Sequence, residues 1–259
     1  MSNISPIDGR YKKNVSELGE YFSEQALMRH RVMVEVKYLL ALVEHKSFKK
    51  TRVLSKKTFT SLKNLYVDFS LKDFKQIKKI EEKTNHDVNA VVVFISEKLK
   101  RAGRKDLVPL VHFGLTSEDV NNTAYSLMTR GAVDNIMIPS IKSVLKELKT
   151  LSKKTKSLPL LSLTHGQPAT TTTLGKELAV FISRVERELA LIKKMRLLAK
   201  FSGATGSYAA HKAAFPGFSW SVFSKRFINK LGLEQSPVST QIEPGDSLAE
   251  LFHLSLIHI

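Results

Sequence analysis

Apolar residues recur at spacings of three and four along nearly every long segment of the chain, and this helical period constrains the fold more than any other feature. In residues 86–100, for example, Val88, Val91, Ile95 and Leu99 share one face and charged residues lie between them. The alternation that is typical of strands nowhere extends beyond a few residues. We predict helices over residues 21–45, 59–67, 73–80, 86–100, Ser117 to about Ile138 (where Pro139 interrupts the helix), 140–156 and Thr173 to Phe201.

Three of these predicted helices have about twenty residues or more, a length that is typical of elongated bundles. We therefore expect an all-α fold. Short helices give way to long ones near Gly114. This change predicts an N-terminal helical domain over residues 1–113 and a long-helix bundle domain over residues 114–259.

The composition excludes several classes of protein. The chain has no cysteine, which excludes disulfides, Cys-ligated metals and a thiol nucleophile. No apolar run is long enough to span a bilayer, and the N-terminus lacks the pattern of a secretory signal. We therefore expect a cytoplasmic protein that makes no membrane contact.

The charge is strongly basic, with 41 Lys and Arg residues against 24 Asp and Glu residues and a formal net charge of +17. Three explanations remain open: a lysine-rich surface, a nucleic-acid-binding face, or a site for a polyanionic small substrate. The lysines are spread along the chain without interleaved arginine and aromatic residues, so we favour the solvated surface and expect no nucleic-acid partner.

Polar segments lie where the predicted helices begin or end, which is where chemistry in helical bundles is usually found. The first of them, residues 5–11, is a turn that places the guanidinium of Arg10 beside the phenol of Tyr11. It is either an exposed N-terminal turn or part of a site.

Two further polar segments each precede a predicted helix. In the first, Asn85 or Asp87 can serve as an N-cap, or both can belong to a site together with His86. In the second, Thr116 and Ser117 can be ordinary caps, or their hydroxyls can join the free N–H groups of the helix in binding an anion.

His165 lies in the least ordinary polar segment, between Thr164 and Gly166. Pro168 excludes a helix there, and the glycine lets the backbone approach a ligand or adopt a positive φ. We predict a loop over residues 162–175, in which His165 is either a functional side chain or an incidental histidine.

Common site signatures are missing from the sequence. No G-x-S-x-G motif supports a Ser-His-Asp hydrolase, and none of the eight histidines has H-x-x-x-H or H-E-x-x-H spacing, so we predict no metal site. The segment from Gly203 to Gly206 is too short for a dinucleotide-binding loop and does not follow a strand pattern.

Taken together and in this order, the polar segments resemble the adenylosuccinate lyase family of the fumarase/aspartase superfamily. The resemblance covers residues 4–252 and implies the all-α fumarase/aspartase-like fold. The Asp-Gly-Arg-Tyr and Asn-His-Asp motifs are more similar to this family than to fumarases, aspartases or argininosuccinate lyases. The matching segments are Ser5-Pro6-Ile7-Asp8-Gly9-Arg10-Tyr11, Thr84-Asn85-His86-Asp87, His112-Phe113-Gly114-Leu115-Thr116-Ser117-Glu118-Asp119 with Asn121-Asn122, Thr164-His165-Gly166-Gln167-Pro168-Ala169-Thr170, Gly203-Ala204-Thr205-Gly206 and Thr240-Gln241-Ile242-Glu243-Pro244.

The resemblance implies a C–N lyase of purine and AMP biosynthesis that acts on a nucleotide. Such an enzyme eliminates fumarate from adenylosuccinate, giving AMP, and from the succinylated imidazole-carboxamide ribonucleotide (SAICAR), giving AICAR. The reaction needs a base that removes a proton from the succinyl Cβ and an acid that protonates the departing nitrogen. His165 matches the acid, a task that suits an imidazole near neutral pH. His86 matches a second active-site imidazole.

The resemblance also implies a set of substrate-binding residues, and it implies neither a metal nor an organic cofactor. Thr116 and Ser117 match groups that hold a succinyl carboxylate. Arg10 matches a phosphate contact, since a guanidinium binds phosphate well. The other matched positions are Tyr11, Asn85, Asp87 and Gln241.

The family's catalytic base is a serine on a Gly/Ser-rich loop with a Met-Pro-x-Lys-x-Asn-Pro core, and no segment of this chain matches it. The resemblance places that loop and a C-terminal helical domain beyond residue 259, so the bundle over residues 114–259 is expected to be incomplete, with a junction near Phe252. We expect the chain to be the N-terminal part of a lyase and to be inactive alone. The family also implies a homo-oligomer, a homotetramer in the full-length protein.

Two alternative functions remain open from the sequence. One is an argininosuccinate lyase-like enzyme of the same superfamily. The other is a basic, non-catalytic helical module that binds nucleic acid.

Overall fold

The structure is a computed structural model and describes residues 5–45 and 53–256. It is 66% helical, which confirms the predicted all-α class. The helices are α1 (Gly19–Phe22), α2 (Glu24–Glu44), α3 (Lys56–Val67), α4 (Leu71–Thr84), α5 (Asp87–Arg101), α6 (Ser117–Ala132), α7 (Ile138–Lys154), α8 (Leu174–Lys194), α9 (Ala209–Ala214), α10 (Trp220–Lys230) and α11 (Asp246–Ser255), with 3-10 helices at Ser16–Leu18 and Lys105–Leu110.

The described residues divide into two compact units. The first unit comprises residues within Met1–Arg130 and Leu197–Pro244, and the second comprises residues within Gly131–Arg196 and Gly245–Ile259. Each unit is therefore built from two separate stretches of chain. The domain boundary between residues 113 and 114, predicted from the change in helix length, stays a prediction.

Serine side chains determine where several helices begin. Ser70 accepts a hydrogen bond from the Asp73 N–H at 3.3 Å, and the Asp73 carboxylate accepts one from the Ser70 N–H at 3.2 Å, which together form a capping box. Ser23 and Ser55 cap α2 and α3, each accepting from the N–H three residues later. These caps start α3 and α4 two or three residues before the first predicted helical residue.

α2 lies inside the first unit and is buried over most of its circumference, with a half-buried stripe at Arg29, Met33, Lys37 and Ala41. The consecutive residues Val34, Glu35 and Val36 are each 0% exposed, although they project in different directions around the helix. The burial of this helix also encloses polar residues, among them His30 and Arg31, and these must find partners inside the protein.

Pro139 does not interrupt the helix that begins at Ser117, contrary to the prediction. α6 passes through one π-helical turn, Val133–Met137, directly into α7. Pro139 then lies in the first turn of α7, where its missing N–H and its fixed φ are tolerated.

The loop predicted over residues 162–175 is instead a β-hairpin followed by the start of α8. Strand β1 (Pro159–Thr164) pairs antiparallel with strand β2 (Gln167–Thr173). Most side chains of both strands are exposed, so neither strand carries the alternation of apolar and polar residues that identifies a half-buried strand.

The helix predicted from Thr173 to Phe201 is too long. α8 ends at Lys194, and Met195 follows with a ψ of 141°, which is an extended conformation. The second unit packs α7 against α8, and α11 also contacts α8.

The segment after α8 is extended and belongs to the first unit. Leu197, Ala199 and Phe201 are buried at alternate positions. Strand β3 (Leu198–Ala199) pairs in parallel with strand β4 (Glu234–Gln235). Apolar residues follow α8 without a gap, so their spacing of two, which is that of a strand, was read as a continuation of the helix.

Candidate active site

The junction between α4 and α5 has an unusual cap. Asn85 ends α4 in the left-handed conformation (φ 49°), and His86 is the N-cap of α5, its Nδ1 accepting the Asn89 N–H at 3.1 Å. Neither Asn85 nor Asp87, the two caps considered from the sequence, fills this role. Because Nδ1 is the acceptor, the neutral imidazole of His86 carries its proton on Nε2.

Arg31 on α2 connects two of the predicted segments. It is 3% exposed, and its guanidinium donates to Asp87 Oδ2 at 2.6 Å and to Asn121 Oδ1 at 2.9 Å. Partial burial alone would raise the pKa of Asp87, but the charge and hydrogen bond of Arg31 outweigh it and hold that pKa below its ordinary value. The start of α5 and the first turns of α6 are thereby joined.

A second buried charge, the carboxylate of Glu35, holds the turn before α6 through hydrogen bonds. Glu35 is fully buried, and it accepts hydrogen bonds from His112 Nδ1 at 2.5 Å and from the His112 N–H at 3.1 Å. Burial alone would lower the pKa of His112, but the hydrogen bond and charge of Glu35 raise it above its ordinary value. His112 adopts a positive φ of 58°, and these bonds hold the turn that leads to Thr116 and Ser117.

Asp119 occupies the centre of this region and is 0% exposed. Its Oδ2 accepts the Thr116 N–H at 2.8 Å and the Gly203 N–H at 3.1 Å. Its Oδ1 accepts the Ser202 N–H at 2.8 Å and lies 2.9 Å from Nζ of Lys200, whose side chain is also fully buried. One carboxylate therefore joins the predicted carboxylate-binding turn to the segment after β3.

Gln241 lies between Ser239 and Glu243, two residues that form hydrogen bonds with the region around Asp119. Ser239 and Ser202 have their hydroxyl oxygens 3.1 Å apart. The side chain of Glu118 accepts a hydrogen bond from the Glu243 N–H. Gln241 itself is exposed, between these two anchored residues.

Arg10 and Tyr11 lie in an exposed turn near the N-terminus. The turn is closed by a hydrogen bond from the Tyr11 N–H to the Pro6 carbonyl at 2.9 Å, and the guanidinium carbon of Arg10 lies 5.6 Å from the centre of the Tyr11 ring. The contacts that join the other segments of the first unit involve neither residue. Both side chains are open to solvent.

His165 belongs to the second unit and lies at the tip of the β-hairpin. Thr164 pairs with Gln167, which leaves His165 and Gly166 as a two-residue turn. Their φ angles are 50° and 73°, as a type I′ turn requires. A histidine in the left-handed region is unusual, and such strain is concentrated at functional sites.

His211 on α9 is a buried histidine that the sequence analysis did not identify. Its Nε2 lies 3.1 Å from the hydroxyl of Tyr38, which in turn donates to the Phe113 carbonyl at 2.8 Å. The ring packs against Gly114, where a Cβ would lie 2.7 Å from ring atoms. Burial is the largest cause that lowers the pKa of His211, to about 4.

This shift predicts an acid-labile contribution to stability. Between pH 6.5 and 4 the unfolded chain binds a proton at His211 and the folded chain does not, so the free energy of unfolding falls as the pH falls. Lowering the pH from 7 to 4 should cost the wild type about 3 kcal/mol more than a His211→Gln variant. Urea denaturation at several pH values measures the difference.

The exposed His253 provides the control for that experiment. A His253→Gln variant should keep the pH dependence of the wild type, and His30 and His112 contribute equally to all three proteins. Parallel pH profiles for the wild type and His211→Gln would contradict the assignment.

None of the helices formed by residues 5–45 and 53–256 combines the length and apolar character needed to cross a membrane. Within the same described ranges, no three His, Asp or Glu side chains cluster as metal ligands would.

The comparisons with known proteins decide the family. A profile described as lyase matches residues 9–257 of the chain. The chain belongs to the lyase family. This match covers nearly the whole sequence and includes the polar segments discussed above from Gly9 onward.

The curated relatives of this lyase-family chain include adenylosuccinate lyases. The protein from Escherichia coli K12 is 41% identical over 253 residues, which cover 97% of this chain and 56% of the relative. That from Dictyostelium discoideum is 43% identical over 258 residues, covering 97% and 55%. The chain thus spans about half the length of the curated relatives it matches.

Two solved structures share the fold of this chain. A fumarate lyase from Mesorhizobium sp. BNC1 has a TM-score of 0.73 at 21% identity, covering 92% of this chain and 53% of its own. A β-carboxy-cis,cis-muconate cycloisomerase from Acinetobacter calcoaceticus has a TM-score of 0.70 at 22% identity, with the same coverage. At these identities the likeness establishes the fold alone.

Sequence reasoning missed the buried charged residues that organise the site. No prediction from the sequence gave a role to Arg31 or Glu35, and Asp119 entered only as part of a segment that resembles the family. A signal was present on α6, where Asp119, Asn122 and Ser126 follow helical spacing and are all buried. A polar stripe at this spacing predicts a solvated face unless its partner segment is already known.

Proposed function

We propose that this chain carries the acid and substrate-binding part of an adenylosuccinate lyase, which eliminates fumarate from adenylosuccinate and from SAICAR. The observation that carries the proposal is the 41% identity to an adenylosuccinate lyase over 97% of the chain. It is supported by the contacts through which Arg31 and Asp119 hold together the predicted residues around His86, Thr116 and Gln241.

In the proposed reaction a base removes a proton from the succinyl Cβ while an acid protonates the nitrogen that leaves. We assign the acid to His165, because an imidazole can hold and release a proton near neutral pH. The rigid two-residue turn limits the positions that the imidazole can reach. The serine base of the family has no match in these 259 residues, so the proposed chain supplies the acid without the base.

The geometry of His86 suits a hydrogen-bond donor. Its Nδ1 is occupied by the Asn89 N–H, which leaves Nε2–H for a substrate atom. We therefore assign His86 to the positioning of the substrate. Asp87 is already paired with Arg31, and with Asn85 it completes this edge of the proposed site.

The proposed binding residues divide by the chemistry of the substrate. Ser117 begins α6 and Thr116 directly precedes it, and hydroxyls at the N-terminus of a helix favour a carboxylate. Arg10 is the proposed phosphate partner, and Tyr11 and Gln241 the proposed nucleotide contacts. The homotetramer and the cytoplasmic location implied by the family stay predictions.

The proposal is tested by completing the chain. Residues 1–252 are joined to the remaining length of the E. coli relative, and fumarate release is followed by ultraviolet absorbance. We expect turnover of adenylosuccinate and of SAICAR but not of argininosuccinate, and no turnover by the 259-residue chain alone. Cleavage of argininosuccinate without cleavage of adenylosuccinate would overturn the proposal and favour the other lyase.

A further inference from the structure

The first unit contains a fully buried ion pair that the proposed chemistry does not use. Asp119 on α6 and Lys200 after β3 are both 0% exposed in their side chains, with Nζ and Oδ1 2.9 Å apart. A buried ion pair loses the hydration of both charges and is often no more stable than an apolar pair of the same volume. Its presence therefore calls for an explanation other than stability.

The hydrogen bonds of Asp119 suggest that explanation. The Asp119 carboxylate has four donors, three of which are backbone N–H groups, those of Thr116, Ser202 and Gly203. The Gly203 N–H is shared between the two carboxylate oxygens. Thr116 lies in the turn before α6, whereas Ser202 and Gly203 are more than eighty residues away in the chain. Lys200 closes the arrangement by also donating to the Gly203 carbonyl.

The same face of α6 forms hydrogen bonds at two further positions with the extended segment that contains Leu198 and Lys200. Asn122 accepts the Lys200 N–H at 2.8 Å and donates to the Lys200 carbonyl at 3.0 Å. Ser126 donates to the Leu198 carbonyl at 2.7 Å. These bonds hold the segment to the helix, but only Asp119 also holds the turn that contains Thr116.

We propose that Asp119, neutralised by Lys200, is the positioning residue that fixes the Thr116–Ser117 turn against the Gly203 turn for binding the succinyl carboxylate. The proposal rests on the proposed function for the identity of the ligand. It assigns Asp119 no contact with substrate. Its effect is on the orientation of the groups that make that contact.

The decisive variant is Asp119→Asn in the completed enzyme. The carboxamide is isosteric, but its NH2 group faces at least two donors whichever way it is oriented, so at least one backbone N–H loses its acceptor. Since the carboxylate-binding turn serves ground state and transition state alike, the KM for adenylosuccinate should rise about tenfold or more while kcat changes less than threefold.

Ser126→Ala is the matched control, because it removes a buried hydrogen bond from the same helix face without touching the Thr116 turn. It should leave KM within about twofold of the wild type. A general loosening of α6 would raise KM equally in both variants. Equal effects, or an Asp119→Asn enzyme with unchanged KM, would overturn the proposal.

Hydrogen exchange of the unmodified 259-residue chain tests the proposal even if Asp119→Asn does not fold. The amide protons of Thr116, Ser202 and Gly203 share one acceptor, so we expect them to exchange slowly and at similar rates. A Thr116 amide that exchanges about a hundredfold faster than that of Gly203 would show that the turn is not held. This result is independent of substrate, so failure of the positioning role is distinguishable from failure of the proposed function.

Discussion

Replacing His165 by asparagine should lower turnover of the completed enzyme by about 10²–10⁴, the usual contribution of an acid–base group. The substitution separates chemistry from structure, because asparagine is favoured at the first position of a type I′ turn and tolerates the φ of 50° found at His165. The hairpin should therefore remain intact. Steady-state kinetics and thermal unfolding measure the two properties in the same protein.

The companion variant is His165→Ala, which lacks the acid and is also strained at a positive φ. If His165 served only to shape the turn, asparagine would restore the activity that alanine loses. We expect equal losses of turnover in both variants, with lower thermal stability in His165→Ala alone. An asparagine variant that keeps more than about one tenth of the wild-type turnover would contradict the assignment of the acid.

Replacing Gly206 by alanine should destabilise the first unit by about 3–5 kcal/mol. Gly206 has a φ of 75°, and a Cβ there would lie 2.1 Å from the Ser239 carbonyl oxygen and 2.8 Å from that of Thr240. Neither obstacle is a side chain that can rotate away. The Gly206 turn or the segment leading to Gln241 must move, and urea denaturation measures the cost.

Gly217→Ala is the matched control for this experiment. A Cβ at Gly217 meets no heavy atom within 4 Å, and the residue has no positive φ. We expect its free energy of unfolding to change by no more than about 0.5 kcal/mol. If Gly206→Ala unfolds at the same urea concentration as Gly217→Ala, the close approach of these two segments is not a feature of the folded protein.

The helices were predictable because their signal is local. A helix that buries one face repeats apolar residues at its own period, and this holds for α4, α5 and α7 whatever they pack against. Serine caps at Ser55 and Ser70 are equally local. Even the β-branched run from Val91 to Ile95 was assigned to a helix correctly, since its neighbours keep the helical spacing.

The wrong predictions about the fold have a different physical origin. The hairpin around His165 exposes most side chains of both strands, so burial imposed no alternation on its sequence. Its turn was recognisable in principle, since a residue followed by glycine between short strands is a hairpin signal. A π-helical turn directly precedes the helical turn that contains Pro139, so the helix continues through the proline. No local sequence pattern predicts such a π-helical turn.

The helical class and the polar segments that carry His86, Thr116, His165 and Gln241 could be predicted from the sequence, because helical periodicity and residue chemistry are properties of short stretches of chain. The contacts that hold together the polar segments of the first unit appear only in the folded structure. Arg31 reaches across 56 and 90 positions to Asp87 and Asn121, and Asp119 reaches across 83 and 84 to Ser202 and Gly203. A buried charge looks in sequence like a solvated one, and its long-range partners alone make its burial tolerable.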